Sequence, residues 1–168
     1  MLTELRAARP LIQAITNFVS MDLVVNALLA IGASPAMVHA PEESGEFVAL
    51  TGALVVNIGT LSKEFVAGTE TAVEAALRLG RPWVLDPVGA GGTRFRDDTV
   101  RLLLRYRPTV IRGNASESLR WRGLPDCIGT GRRLRASIAR TKPPRRANKR
   151  STLPVINAAS SRPPALSI

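Results

Sequence analysis

Short apolar runs alternate with amphipathic stretches over residues 10–117, and this alternation limits the possible folds more than any other feature. The predicted strands are Leu11–Ile15, Ala36–His39, Leu54–Ile58, Trp83–Leu85 and Thr109–Ile111. Between them, apolar residues recur at helical spacing, and Gly32 and Gly80 stand where helices would end. Strands that alternate with helices in this way predict a layered α/β domain with a mostly parallel sheet.

The charge of the chain changes abruptly near residue 117. Residues 1–117 contain 11 lysines and arginines and 12 acidic residues, whereas residues 118–168 contain 12 basic residues and only one acidic residue, Asp126. The net charge of +10 therefore belongs to the second segment. Its arginine and proline pairs and weak periodicity favour an irregular or disordered tail. We therefore divide the chain into a partial α/β domain, 1–117, and a basic Pro/Arg-rich tail, 118–168.

Cysteine content and hydropathy indicate the cellular compartment. Cys127 is the only cysteine of the chain, so no disulfide can form within it. The uncharged stretch 23–41 contains Asn26, Gly32 and Pro35, which argue against a membrane span. We expect a soluble cytoplasmic protein with no membrane association.

Three loops that follow predicted strands contain polar groups suited to ligand binding. Ligands of open α/β sheets gather at the carboxyl ends of the strands. The first of these loops, 57–60, offers Gly59, which allows a ligand to approach the backbone closely. The alternative is a plain strand-to-helix turn. In the second, Asp86 precedes glycines and suits a Mg²⁺ ion that bridges nucleotide phosphates. The alternative for Asp86 is an Asx-turn without a ligand.

The third loop, 112–117, combines a guanidinium, an amide and a carboxylate. Arg112 suits phosphate oxygens, and Glu117 suits a metal ion held through water. The alternative is a helix cap, with Asn114 as the capping residue and Glu117 at the third helical position. His39 has no second histidine or cysteine nearby and is interpreted as a structural residue.

Five segments, in their order and spacing, resemble hydroxyethylthiazole kinases of thiamine biosynthesis and salvage. They are 15–17, 28–37, 57–61, 85–91 and 112–117. The resemblance implies a three-layer ribokinase-like fold, incomplete at its C-terminal side, that assembles as a homotrimer with substrate pockets between subunits. It implies phosphorylation of the hydroxyethyl group of 4-methyl-5-(2-hydroxyethyl)thiazole with Mg²⁺ and ATP.

The same resemblance assigns candidate site residues. The thiazole pocket is assigned to Asn17, Met37, Gly59 and Thr60. ATP binding is assigned to Arg112 and Asn114, and magnesium binding to Asp86 and Glu117.

No catalytic residue is assigned, because the family's Gly-Thr-Gly-Cys anion-binding motif does not occur in these 168 residues. The segment 127–131 places its cysteine before the glycines, so Cys127 is not given the catalytic role. Each donor of an oxyanion-stabilising loop contributes about 10²–10³ in rate. We therefore expect negligible kinase activity from this chain.

Three other hypotheses concern the tail and the role of the chain. The basic tail predicts non-specific binding of nucleic acid, although Trp121 is the only aromatic residue after Tyr106. A second hypothesis is that the chain joins intact kinase trimers as a non-catalytic fragment. A third hypothesis holds that the residues from about Ser118 onward are an out-of-frame translation, which the coding DNA would reveal.

Overall fold

The computed structural model describes residues 2–114 and 135–138 of the chain. The helices are α1 (Leu2–Ala8), α2 (Met21–Ile31), α3 (Ser44–Val48), α4 (Lys63–Arg78) and α5 (Arg94–Leu104). The strands are β1 (Leu11–Ile15), β2 (Ser34–Ala36), β3 (Ala53–Asn57), β4 (Trp83–Asp86), β5 (Val110–Gly113) and β6 (Arg135–Ile138). Within the described residues, no helix is long and apolar enough to cross a membrane.

The strands form one parallel sheet in the order β2-β1-β3-β4-β5-β6. This confirms the predicted α/β class with a mostly parallel sheet. The carboxyl ends of parallel strands lie at the same edge of a sheet, and the register places Asn57 of β3 directly beside Asp86 of β4. The loops that follow β1, β3, β4 and β5 therefore start from neighbouring positions.

The core lies between the central strands and α4 and α5. Strand residues Ile15, Leu54, Val56, Leu85 and Ile111 are all fully or almost fully buried. From α4, buried side chains lie on one stripe, and they include Phe65, Ala72, Val73 and Ala76. Burial of this apolar surface is the main stabilising term of the sheet and helix layers.

Helix ends follow the local sequence signals. Ser62 Oγ accepts a hydrogen bond from the backbone N–H of Phe65 at 3.0 Å, so Ser62 caps α4. Gly32 ends α2 with a φ of 93°, a left-handed conformation that favours glycine. Both glycines expected at helix ends have positive φ, since Gly80 has a φ of 65°.

Some expected elements differ from those observed. Helix α1 was not anticipated from the sequence, and β2 covers Ser34–Ala36 rather than the expected 36–39. Helix α3 starts at Ser44, after a turn. Leu77 of α4 is 48% exposed and lies outside the buried stripe of that helix.

One strand lies in the segment expected to be irregular. Residues 135–138 form β6, which pairs in parallel with β5 from Val110 to Gly113. The expectation of an irregular tail therefore does not hold for these four residues. Backbone hydrogen bonds can recruit a short strand whose sequence has little apolar periodicity. The sheet continues beyond the predicted boundary at residue 117.

Candidate functional site

Side chains from the ends of four strands form a hydrogen-bonded chain across one edge of the sheet, here called the polar row: Asn17, Asn57, Asp86 and Arg112. Asn17 Nδ2 donates to Asn57 Oδ1 at 2.8 Å, and Asn57 Nδ2 donates to Asp86 Oδ2 at 3.0 Å. Arg112 Nη1 donates to the same Asp86 oxygen at 2.6 Å. The structure thus brings together three of the residues that the sequence suggested: Asn17, Asp86 and Arg112.

Asp86 is the electrostatic centre of the polar row. Asp86 is only 7% exposed, whereas the Arg112 side chain is 57% exposed. A buried carboxylate is costly unless it is paired and hydrogen-bonded, and charge-assisted hydrogen bonds from Arg112 and an amide bond from Asn57 reduce that cost. Because the Arg112 guanidinium is exposed, it can move away from Asp86 with little disruption of packing. The Asp86 carboxylate can then bind another partner in place of Arg112.

Backbone groups fix the Asn17 end of the polar row. Asn17 Oδ1 accepts from the backbone N–H of Ser20 at 2.9 Å, which holds the amide in one orientation. A Cβ at Gly59 would lie 2.8 Å from Asn17 Cβ, so only glycine allows the two loops to approach this closely. The Gly59 N–H in turn donates to Asn57 Oδ1 at 2.9 Å.

Thr60 completes this end of the site. Its Oγ1 accepts a hydrogen bond from the backbone N–H of Phe18 at 3.3 Å. The loop after β1 and the loop after β3 are therefore joined by Thr60 as well as by the Asn17 and Asn57 amides. Asn17, Gly59 and Thr60 therefore lie close together.

The remaining candidates lie near the same sheet edge or outside the described residues. Met37 is half-buried and follows β2, on the far side of β1 from Asp86. Asn114 directly follows β5, two residues after Arg112. Glu117 lies outside the residues that the structure describes. In the described part of the chain, no group of three or more histidine, cysteine, aspartate or glutamate side chains is arranged to hold a metal ion.

Two residues of the site were missed at the level of sequence. Asn57 lies in segment 57–61, one of the five that resemble the family, but nothing in the sequence pattern shows that its side chain links Asn17 to Asp86. Arg96 donates from Nη1 to the carbonyl oxygens of Ile58 and Val88, at 2.7 and 2.9 Å, and from Nη2 to that of Gly59 at 2.9 Å. For Arg96 the sequence contained one signal. An arginine in the first turn of a helix opposes the helix dipole, which suggests that its side chain binds another group.

Comparisons with known proteins identify the family of the chain. The Hydroxyethylthiazole kinase family profile matches residues 2–138. Curated relatives named hydroxyethylthiazole kinase include one from Rhizobium rhizogenes, 58% identical over 117 residues, and one from Cereibacter sphaeroides, 58% identical over 118 residues. Each alignment covers 70% of this chain, and 44% and 45% of the respective relative.

A solved structure of the hydroxyethylthiazole kinase protein from Pyrococcus horikoshii OT3 is 48% identical and has a TM-score of 0.67. That match covers 69% of this chain and 46% of the solved chain. The chain thus spans a little under half the length of the relatives it matches. Family profile, sequence identity and three-dimensional similarity all agree, and the chain therefore belongs to the hydroxyethylthiazole kinase family.

Proposed function

We propose that this chain carries the substrate and magnesium-phosphate subsites of a kinase that phosphorylates 4-methyl-5-(2-hydroxyethyl)thiazole with ATP in thiamine biosynthesis. The polar row supports this proposal most directly, because it lines up an amide, a carboxylate and a guanidinium along one sheet edge. Both relatives and the solved protein are named hydroxyethylthiazole kinase.

The Asn17 end of the row is the proposed thiazole subsite. The Asn17 amide is a hydrogen-bond partner for the hydroxyl of the substrate, while Gly59 and Thr60 border the pocket and Met37 supplies apolar surface to the ring. An amide that is already oriented by Ser20 loses little conformational freedom on binding. This end of the site orients the reacting hydroxyl toward the phosphate end.

The Arg112 end of the row is the proposed phosphate subsite. The Arg112 guanidinium and the Asn114 amide are donors to ATP phosphate oxygens. Magnesium fits this end of the row because Asp86 offers the hard carboxylate oxygens that Mg²⁺ prefers, and Asp86 and Glu117 would hold the ion together with phosphate oxygens. When bound, the ion neutralises charge on the phosphate groups. Arg112 then turns from Asp86 to the nucleotide.

Assembly into a homotrimer and a cytoplasmic location belong to the same proposal. Helix α2 has no buried residue, and large apolar side chains of this helix and of the loop before it are exposed: Phe18, Val19, Leu23 and Leu29. Contact with further copies would cover this surface. Sedimentation velocity is expected to give three times the chain mass of 18.0 kDa. A monomer would contradict this part of the proposal. The single cysteine agrees with a reducing cytoplasm.

Calorimetric titration of the full 168-residue chain with the thiazole alcohol tests the function. We expect saturable binding by the unsubstituted chain and a loss of about tenfold or more in affinity for Asn17→Ala, which removes one oriented hydrogen bond. Turnover with ATP is expected to be negligible, because no Gly-Thr-Gly-Cys motif occurs among the 168 residues. Absence of binding contradicts the proposed subsite, and measurable phosphorylation contradicts the expected inactivity.

A second candidate function is favoured by one observation, the 12 basic residues and single acidic residue of segment 118–168. Such a segment would bind nucleic acid without sequence preference and with strong salt dependence, through release of counterions. Titration of a DNA duplex at about 50 mM and about 200 mM salt tests it, because the affinity of such binding falls steeply over this range. Unchanged affinity between the two conditions would exclude this function.

A further inference from the structure

Arg96 joins the two loops that carry the proposed site. Its three hydrogen bonds reach Ile58 and Gly59 in the loop after β3 and Val88 in the loop after β4. The first loop contributes Gly59 and Thr60 to the thiazole end, and the second directly follows Asp86, the last residue of β4. One guanidinium on α5 thus contacts both halves of the site without belonging to the polar row.

The chemistry of these contacts explains why an arginine stands there. A cation in the first turn of a helix opposes the helix dipole, and α5 begins only two residues earlier, at Arg94. Three carbonyl oxygens, which carry partial negative charge, offset that cost. Guanidinium has donors in a fixed planar arrangement and can contact several carbonyls at once, which a lysine ammonium cannot do with the same geometry.

The first turn of α5 also contacts the loop after β4, residues 87–92, here called the glycine-rich loop. Gly89 has a φ of 73°, and a Cβ added there would lie 3.3 Å from Arg96 Cδ, so the arginine stem packs along the loop. Asp97 Oδ1 accepts a hydrogen bond from the backbone N–H of Gly91 at 2.6 Å. Two consecutive residues of α5 therefore bind the glycine-rich loop from two sides.

Two hydrogen bonds also join the strand ends from which the loops start. The Ile58 N–H donates to the Asp86 carbonyl at 3.2 Å, and Asn57 Nδ2 donates to the Asp86 carboxylate at 3.0 Å. Both are longer than the contacts of Arg96 with Ile58 and Val88, at 2.7 and 2.9 Å. The Asn57 contact is charge-assisted through its acceptor, and Arg96 adds three charge-assisted hydrogen bonds of its own, so Arg96 carries a large share of the interaction between the loops.

We propose that Arg96 is a positioning residue that fixes the distance between the thiazole subsite and the magnesium-phosphate subsite. The inference rests on the proposed function of those subsites. Arg96 touches neither ligand in this proposal. It lowers the cost of binding by holding both loops in the bound arrangement, so its loss weakens both ligands, whereas Asn17→Ala weakens only the thiazole alcohol.

Amide hydrogen exchange on the full chain tests the loop contact itself. Arg96→Met keeps the apolar stem and removes the donors, and Arg94→Met is the matched control. The Arg94 side chain is 94% exposed and forms an ion pair with Asp98 on the same helix, at 3.6 Å. In Arg96→Met we expect exchange at the amides of residues 58, 59 and 88–92 to be faster by about tenfold or more, with α4 unchanged. Unchanged exchange in these loops would overturn the proposal.

Titrations with the thiazole alcohol and with Mg²⁺ plus ATP test the consequence for the site. Arg96→Met is expected to weaken each ligand by about tenfold, and Arg96→Lys, which restores donors, is expected to recover part of that loss. Equal affinities for Arg96→Met and the unsubstituted chain would overturn the proposal. If the unsubstituted chain binds neither ligand, the proposed function fails. The exchange measurement then decides separately whether Arg96 holds the loops together.

Discussion

Asn57 shows how one side chain can connect two subsites that the sequence presents as separate motifs. Its Oδ1 accepts from Asn17 and from the Gly59 N–H, while its Nδ2 donates to Asp86. An amide is suited to this place because it has both an acceptor and donors. A carboxylate or a hydroxyl at residue 57 would not satisfy the same partners.

Replacement of Asn57 by aspartate is expected to destabilise the fold. Asn57→Asp puts a second carboxylate beside the buried Asp86 and removes a donor, at a cost of about 1–3 kcal/mol in the free energy of unfolding. Asn26→Asp is the control, since Asn26 Nδ2 also donates to an aspartate, Asp22, at 3.2 Å but on an exposed helix surface. Urea unfolding should give a change within about 0.5 kcal/mol for the control. Equal effects of the two substitutions would show that Asn57 has no special role.

Arg112 is expected to compete with a cation for Asp86. In Arg112→Met, free Mg²⁺ should bind severalfold more tightly, because its competitor is gone, while ATP should bind about tenfold more weakly, because a phosphate donor is lost. Arg101→Met is the matched control, since Arg101 pairs with the exposed Asp98 at the same kind of distance, 2.8 Å. Calorimetry with Mg²⁺ alone and with ATP measures both effects. Weaker Mg²⁺ binding by Arg112→Met would contradict the claim that Arg112 and the cation compete for Asp86.

Asp86 and Arg112 could be predicted from the sequence because each follows a recognisable strand, and strand ends of a parallel sheet meet at one edge, whereas Asn17 was assigned through the family resemblance. Asn57 and Arg96 could not be predicted in the same way. Their roles depend on the reach of side chains between loops that are distant in sequence, by 40 residues for Asn17 and Asn57 and 38 for Ile58 and Arg96. Periodicity and turn signals carry no information on such contacts.

At the level of elements, helix α4 depends on a close approach that only glycine permits. A Cβ at Gly68 would collide with the carbonyl oxygen of His39, which belongs to the segment between β2 and α3. Ser44 Oγ also donates to the Gly68 carbonyl at 2.6 Å. The backbone of α4 therefore rests directly on this segment, and through it α4 supports the loop that contains Met37.

Gly68→Ala should consequently destabilise the protein, even though alanine is the better helix former. We expect a loss of about 2 kcal/mol in the free energy of unfolding, because the clash outweighs the gain in helix propensity of about 1 kcal/mol. Gly52→Ala is the control, since its Cβ would make an ordinary contact at 3.5 Å. Thermal and urea unfolding of the two variants measure the difference. A stabilised Gly68→Ala protein would contradict the close packing of α4.

The helices and strands with clear periodicity were predicted well, and those without it were not. The strand signals around Leu54–Ile58 and Trp83–Leu85 correspond to β3 and β4, and Gly32 marks the end of α2. Helix α1 was missed because its seven residues are too few to show a sustained periodicity, and none of its side chains is buried. Strand β2 has only three residues and includes Pro35, so local sequence could not fix its register.

At the scale of the whole molecule, the described residues contain a sheet that is longer than the first 117 residues alone would give. The family match extends to residue 138, and β6 pairs with β5 up to Ile138. The boundary between a partial domain and a basic tail at residue 117 stays a prediction. Composition identified the change in charge, but charge does not specify which segments pair with a sheet edge.

The central claim is that four strand ends bring Asn17, Asn57, Asp86 and Arg112 into one site that binds the thiazole alcohol beside phosphate. The most direct test is a titration of the ¹⁵N-labelled full chain with the thiazole alcohol, followed by NMR signals of the side-chain amides. We predict saturable shifts of the Asn17 and Asn57 amide signals, with the exposed Asn26 amide unchanged. Saturable binding that leaves the Asn17 and Asn57 signals where they are, or no binding at all, would contradict the claim.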